Sequence, residues 1–184
     1  MKYLIASDIH GRLAAMETFY AAYLREQPDA LILLGDLLYN GPRNGVPSDY
    51  DPMGVCKILL TMKDKTIAYI RGNCDSRVDE MVLGVSLSDV LHILINGQKA
   101  TLFHGDEFSN RLIENSSDFL RLYGHTHLPE LAFRDGHIYL NPGSIGFPKG
   151  GFPASYMVIE DNEISLRDLE GQTLNSGTFD SLVS

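Results

Sequence analysis

The run Tyr3-Leu4-Ile5-Ala6-Ser7-Asp8-Ile9-His10-Gly11 decides how the rest of this chain is read. A short continuous apolar run suits a strand buried on both faces, and this one ends abruptly in acid, histidine and glycine. From Arg12 to Glu26 the spacing predicts a helix. Leu13, Met16, Phe19, Tyr20, Tyr23 and Leu24 recur three and four residues apart, and Pro28 follows the end. Ala30 to Leu34 is a second buried strand, and it too runs into an acid, at Gly35-Asp36. Strand, helix and strand with a right-handed crossover make a βαβ unit and imply a parallel sheet. Asp8 and Asp36 then leave neighbouring strands on one edge, the carboxyl edge where open α/β sheets build their sites.

Working outward, Tyr39 to Asp51 is dense in turn residues. It reads equally as a surface insertion and as the wall of a substrate pocket. Pro52 to Met62 is helical, with Val55, Ile58, Leu59 and Met62 on one face, and Thr66 to Ile70 is a third strand ahead of Gly72-Asn73-Cys74-Asp75. Ser76 to Ser88 is helical or irregular. Leu91 to Ile95 and Lys99 to Phe103 flank Asn96-Gly97, a strong hairpin signal, and the second of them ends in His104-Gly105-Asp106. Glu107 to Asn115 is a short helix. The strand Phe119 to Tyr123 leads into Gly124-His125-Thr126-His127, where an extended backbone would aim both rings at one face, about 6–7 Å apart. Two more hairpins follow, Leu131–Phe133 with His137–Leu140 and Ala154–Glu160 with Glu163–Leu169. The tail from Gly171 to Ser184 carries no periodic signal and is expected to fray. No repeat or linker divides the chain, so residues 1–184 read as one domain.

The net charge of −9 gives no reason to expect binding to nucleic acid or to an anionic membrane surface. A phosphate-bearing substrate would need local positive charge, which bound metal ions supply. The two cysteines, Cys56 and Cys74, imply no disulfide framework. No apolar stretch approaches the roughly 20 residues that span a bilayer, and the apolar run near Met1 is too short for a signal peptide. A cytoplasmic, reducing location is expected.

Five polar clusters follow apolar strands: Asp8/His10, Asp36, Asn73, His104 and His125/His127. Each adjoins a glycine, which lets the backbone turn tightly. A His-x-His pair alone reads as a polar turn more readily than as a metal site; the other clusters change that. Carboxylates, imidazoles and one amide oxygen suit Mn, Fe or Zn better than Ca or Mg. These donors are too many for one tetrahedral site and match two five- or six-coordinate sites sharing a carboxylate. Two metals about 3.5–4 Å apart serve in-line displacement at phosphorus.

In this order, the Asp-x-His-Gly, Gly-Asp, Gly-Asn-x-Asp, His-Gly-Asp and Gly-His-Thr-His motifs resemble those of the calcineurin-like metallophosphoesterases. The match runs from Met1 to about Glu160. Small size, the Gly-Asn-Cys-Asp variant and Asn141-Pro142-Gly143-Ser144 make the chain similar to the YfcE-type phosphodiesterases of that superfamily. The resemblance implies an α/β fold of two mixed β-sheets packed as a sandwich and flanked by helices. It implies two divalent metal ions, manganese being the usual activator. Asp8, His10 and His127 would bind one, Asn73, His104 and His125 the other, and Asp36 would bridge. Asn73, Cys74 and His104 are the candidate catalytic residues. The expected function is hydrolysis of a small phosphodiester by a metal-activated hydroxide, with little or no action on ordinary monoesters; small enzymes often form symmetric oligomers, which leaves a homo-oligomer open. The competing expectation is a catalytically weak scaffold or interaction protein on the same fold.

Charge counting agrees. Two dications against Asp8, Asp36 and a bridging hydroxide leave about +1, which a diester monoanion neutralises and a monoester dianion exceeds. Many relatives carry histidine where this chain has Cys74. A thiol with an ordinary pKa of ~8.5 is a weak donor and uncharged at neutral pH, so leaving-group protonation is expected to be weak. Cys74 as a soft metal ligand is a further reading. Asp75 and Asp106 are candidates to orient ligated imidazoles, or are simply solvated. Arg12 and Arg43 are the nearest basic candidates for substrate phosphate, although a structural role suffices for each. His92 and His137 lie inside strand patterns and are left out of the site.

Overall fold

The expected βαβ unit is present in the computed structural model, which describes every residue from Met1 to Ser184. Strand β1 (Lys2–Ala6) pairs in parallel with β2 (Ala30–Leu33), and β2 with β3 (Thr66–Tyr69). Helices α1 (Leu13–Glu26) and α2 (Pro52–Thr61) make the crossovers, and α3 (Arg77–Leu83) follows the third strand. The Asp51 side chain caps α2 by accepting from the Gly54 N–H, with Pro52 in the first turn where its missing N–H costs nothing.

The second sheet comprises β4 (Val90–Ile95), β5 (Gln98–Phe103), β6 (Leu120–Leu122), β7 (Glu130–Arg134) and β8 (His137–Asn141), ordered β4-β5-β6-β8-β7. Its central strands β5, β6 and β8 are parallel and its outer strands antiparallel. Helix α4 (Glu107–Leu112) connects β5 to β6. The chain then returns to the first sheet through β9 (Ser155–Glu160), antiparallel to β1, and continues into β10 (Glu163–Asp168) and β11 (Thr173–Thr178). The order there is β11-β10-β9-β1-β2-β3. Both sheets are mixed, as the family resemblance implies.

The apolar runs of β1 and β2 serve two cores. Leu4, Ala6, Leu31 and Leu33 pack with Met16 and Phe19 of α1 and with Val55 and Leu59 of α2. Tyr3, Ile5, Ala30 and Ile32, one residue out of phase, pack between the sheets against Leu102, Leu122 and Leu140. A strand covered on both faces shows no polar alternation, which is why these runs are continuous. Each buried Leu or Ile contributes on the order of 2 kcal/mol of transfer free energy.

The tail corrects its expectation. Residues after Gly171 form β11 and a short helix, α5 (Phe179–Val183), which Thr178 and Ser181 cap reciprocally. Phe179 is buried in the inter-sheet core. The exposed edge strand and the one-turn helix are too short to show a period, so one anchoring aromatic was the only signal. No helix is long and apolar enough to cross a membrane.

Candidate metal centre

All seven sequence-predicted donors come together at strand carboxyl ends. Asp8 and His10 leave β1, Asp36 leaves β2, Asn73 leaves β3, His104 leaves β5, and His125 and His127 leave β6. His127 Nε2 stands 3.3 Å from Asp8 Oδ1, and His10 Nε2 stands 3.6 Å from the same oxygen. Asp36 Oδ2 lies 3.6 Å from His10 Nε2 and 3.4 Å from His104 Nε2. Asn73 Oδ1 lies 3.2 Å from His104 Nε2. The His125 ring packs edge-on against His104, with centroids 5.1 Å apart, and the His127 ring stacks on His10, also at 5.1 Å. Asp8 and His104 are fully buried, whereas His10, Asp36, Asn73, His125 and His127 line a cleft of about 210 Å³.

The local backbone differs from expectation. Gly124 to His127 is not extended: His125 (φ 63°) and His127 (φ 60°) are both left-handed. Asp8 (φ 56°), His10 (φ 52°) and Asp36 (φ 53°) are left-handed as well. For a residue with a Cβ this conformation costs roughly 1–2 kcal/mol, and such strain concentrates at functional sites. The two histidines therefore diverge by a tight bend rather than by strand rise. His127 goes to the Asp8/His10 side and His125 to the His104 side.

Backbone carbonyls fix three tautomers. Nδ1 of His10, His104 and His127 lies 2.9, 2.7 and 2.6 Å from the carbonyl oxygens of Tyr39, Leu34 and Phe147. A carbonyl only accepts, so each Nδ1 carries its proton, and in the neutral ring Nε2 is left as a lone pair. Those lone pairs face carboxylate and amide oxygens, acceptor against acceptor. Asp8 Oδ1 is buried and lacks any hydrogen-bond partner. A cation resolves this. Ligand atoms about 2.1 Å from one ion at ordinary angles stand roughly 3.2–3.4 Å from each other, close to the separations found here. The residues present fit divalent metal.

Protons are another positive charge these groups can recruit. Burial would raise the Asp36 carboxyl, but the hydrogen bond and charge of His104 outweigh it and bring it to about 2. Burial would likewise lower His104, but Asp36 and Asp8 push it up to about 9. His125 and His127 stay below the ordinary histidine value because burial dominates.

Residues 1–163 match the calcineurin-like phosphoesterase superfamily domain. This chain belongs to the calcineurin-like phosphoesterase superfamily. The phosphodiesterase YfcE of Escherichia coli K12 is 40% identical over 177 residues, 95% of each chain. A solved structure of YfcE, described as a phosphoesterase from E. coli, superposes with a TM-score of 0.86 at 36% identity, covering 97% of this chain and 99% of that one. Vacuolar protein sorting 29 from Cryptosporidium parvum shares the fold at a TM-score of 0.64 and 19% identity, covering 96% of this chain and 95% of that one.

Around the donors, this phosphoesterase resolves several alternatives left open by its sequence. Asp75 does not orient an imidazole; its carboxylate accepts from the backbone N–H groups of Asp36, Leu37 and Gly72. Burial and the Asp36 charge raise it to about 6. Asp106 caps α4 through Ser109. Arg12 is structural: it pairs with Asp49 at 2.7 Å, donates to the Gly146 carbonyl and lies over the Phe147 ring. Arg43 does line the cleft, and so does Lys149, which sequence reasoning missed. A lone lysine in the glycine- and proline-rich run 146–153 was its only signal. The loop after β2 is a wall, since Gly41, Pro42, Arg43 and Asn44 all line the cleft. His92 pairs with Asp118 outside the site, and His137 likewise lies elsewhere, beside Arg121.

Proposed function

We propose that this phosphoesterase is a dinuclear, divalent-metal-dependent phosphodiesterase acting on small phosphodiesters, with manganese as its activating ion. Asp8, His10 and His127 would hold one ion, Asn73, His104 and His125 the other, and Asp36 would serve both. The observation carrying this reading is the position of Asp36 Oδ2, within 3.6 Å of His10 Nε2 and 3.4 Å of His104 Nε2, one oxygen between two donor groups. The name of the E. coli relative supports the reaction class.

Ions bound there would lower the pKa of bound water towards ~7 and offset the charge that builds on the phosphoryl oxygens. The protein's own part is positioning. Three carbonyls lock the imidazoles with Nε2 forward. The Cys74 N–H donates to Asp36 Oδ1 and the His125 N–H to Asp8 Oδ2, leaving the other carboxylate oxygens for metal. Arg43 and Lys149 bring positive charge to the cleft for a phosphate oxygen.

Two features favour diesters over monoesters. The centre's balance of about +1 suits a monoanion. In addition, position 74 carries a thiol, which is a weak hydrogen-bond donor and holds no positive charge for the extra charge of a monoester dianion. Both cysteines are free, in keeping with a cytoplasmic setting.

Hydrolysis of bis-p-nitrophenyl phosphate by the metal-stripped protein, restored with Mn²⁺, tests the reading. Turnover with two ions per chain, lost in Asp36→Asn, is expected. His127→Ala should cost mainly one ion. Lack of turnover with Mn²⁺, Co²⁺, Ni²⁺ and Zn²⁺ alike would favour the scaffold reading. Full activity at one ion per chain, or near-wild-type turnover in Asp36→Asn, would remove the bridge.

A further inference from the structure

Beside the metal cleft lies a second cavity of about 450 Å³, between the loop after β2, the first turn of α2 and α3. It is larger than the metal cleft, and its wall is mainly apolar, formed by Leu38, Tyr39, Tyr50, Met53, Val78 and Val82. The two cavities adjoin at Cys74, which lines both. The Tyr39 carbonyl also accepts from His10 Nδ1, so one residue both walls the recess and orients a donor of the metal centre.

Several of these side chains meet water at a cost. Met53 is 52% exposed, Val78 63% and Tyr39 44%. Apolar side chains gathered in a concavity and opening onto a reactive centre mark a ligand site more than a random surface. The one carboxylate of the recess is already committed. Asp79 accepts from the Ser76 N–H and from its hydroxyl in a capping box. No lysine or arginine lines the recess. A second phosphate would find there a carboxylate and hydrocarbon, and no counter-charge.

We propose that the recess is a substrate subsite for the ester group that stays on phosphorus, and that this group is a flat, uncharged aromatic ring. This rests on the phosphodiesterase reading of the neighbouring cleft and adds to it the class of diester taken. The assignment to the retained group follows from charge. A departing oxygen develops negative charge and needs a proton or a cation. The recess holds no lysine or arginine to meet that charge, whereas Arg43 and Lys149 line the metal cleft. Aromatic walls and methionine suit a ring stacked or edge-packed between them. A monoester has no such group and leaves the recess empty, so the subsite adds to the diester preference.

The test compares phenyl p-nitrophenyl phosphate with methyl p-nitrophenyl phosphate in the Mn²⁺-loaded full chain. The leaving group is the same in both, and each rate is referred to the uncatalysed hydrolysis of its own ester. Burial of a phenyl ring predicts kcat/KM roughly tenfold higher for the phenyl ester, mainly through KM. In the double variant Met53→Ser/Val78→Ser that ratio should fall about fivefold. Both side chains are more than half exposed, so the fold should survive, which circular dichroism checks. A wild-type ratio near one, or a ratio unchanged by the double substitution, overturns the subsite and leaves the phosphodiesterase reading standing. Hydrolysis of neither ester with any of the four metals sinks that reading, and the subsite with it.

Discussion

The carboxylate of Asp75 accepts the backbone N–H of Asp36 at 2.8 Å, so one acid holds the turn that presents another. The same carboxylate also accepts from Leu37 and Gly72. Two acids this close repel, and the bond is kept because Asp36 needs its left-handed backbone supported. Asp75→Asn replaces one acceptor oxygen by an amide that confronts N–H donors. A stability loss of about 1–3 kcal/mol is expected, together with weaker Mn²⁺ binding. Thermal unfolding and metal titration measure the two. Unchanged metal affinity would mean that the turn does not depend on Asp75.

Gly72 packs directly against the proposed bridge. A Cβ built there would come within 2.1 Å of Asp36 Oδ1 and 2.4 Å of Asp36 N, too close for any real contact. Gly72→Ala should displace Asp36 and reduce metal stoichiometry below two per chain, with at least roughly 2 kcal/mol of destabilisation. Elemental analysis after gel filtration reads the stoichiometry. Two tightly held ions in this variant would show that Asp36 is not required in its present place.

Cys74 occupies the border of both cavities with a thiol pushed up to about 12, first by burial and then by Asp36. Cys74→His introduces a group able to donate a proton and to add positive charge near neutral pH. The ratio of monoester to diester turnover, measured on p-nitrophenyl phosphate and bis-p-nitrophenyl phosphate, should rise about tenfold or more. A wild-type enzyme that already prefers the monoester contradicts this account.

Glu26 links four elements far from the site. Its carboxylate meets Lys2 at 2.8 Å, the Tyr156 hydroxyl at 2.7 Å and Arg167 at 2.7 Å. Burial alone would raise its pKa, but these three bonds outweigh burial and hold it below the ordinary 4.5. A carboxyl depressed by folding stabilises above its unfolded pKa, and that stability is lost as pH falls through the folded value. Urea midpoints should therefore drop as pH falls below about 4.5, and the drop should be smaller in Glu26→Gln. At neutral pH, Glu26→Ala should cost about 2–4 kcal/mol, because two cations and a buried hydroxyl lose their partner. Equal acid sensitivity in Glu26→Gln and wild type would exclude Glu26 as the titrating group.

Much of the fold was legible because burial on both faces leaves a plain mark. The runs from Tyr3 and from Ala30 contain no polar interruption, and each ends in an acid where the chain leaves the core. Asn96-Gly97 marked a hairpin because its left-handed turn favours those residues. Helix α5 and β11 were illegible. One short turn and an exposed edge carry no period, and their place depends on Phe179 finding a gap between sheets built from residues far away in sequence.

By itself the sequence determined which atoms were available: the chemistry of Asp8, His10, Asp36, Asn73, His104, His125 and His127 and their sites at strand ends. These follow from residue type and hydrophobic pattern, which are local properties. Only the tertiary structure decided how the donors face one another. Left-handed backbone at five of them, carbonyls of Tyr39, Leu34 and Phe147 holding three rings, and Asp75 bracing Asp36 all come from distant segments. Lys149 in the cleft and the apolar recess beside Cys74 were likewise settled by loop paths across the sheet edge. Strain in a turn is sustained by the packing around it, and that packing exists only once both sheets have closed.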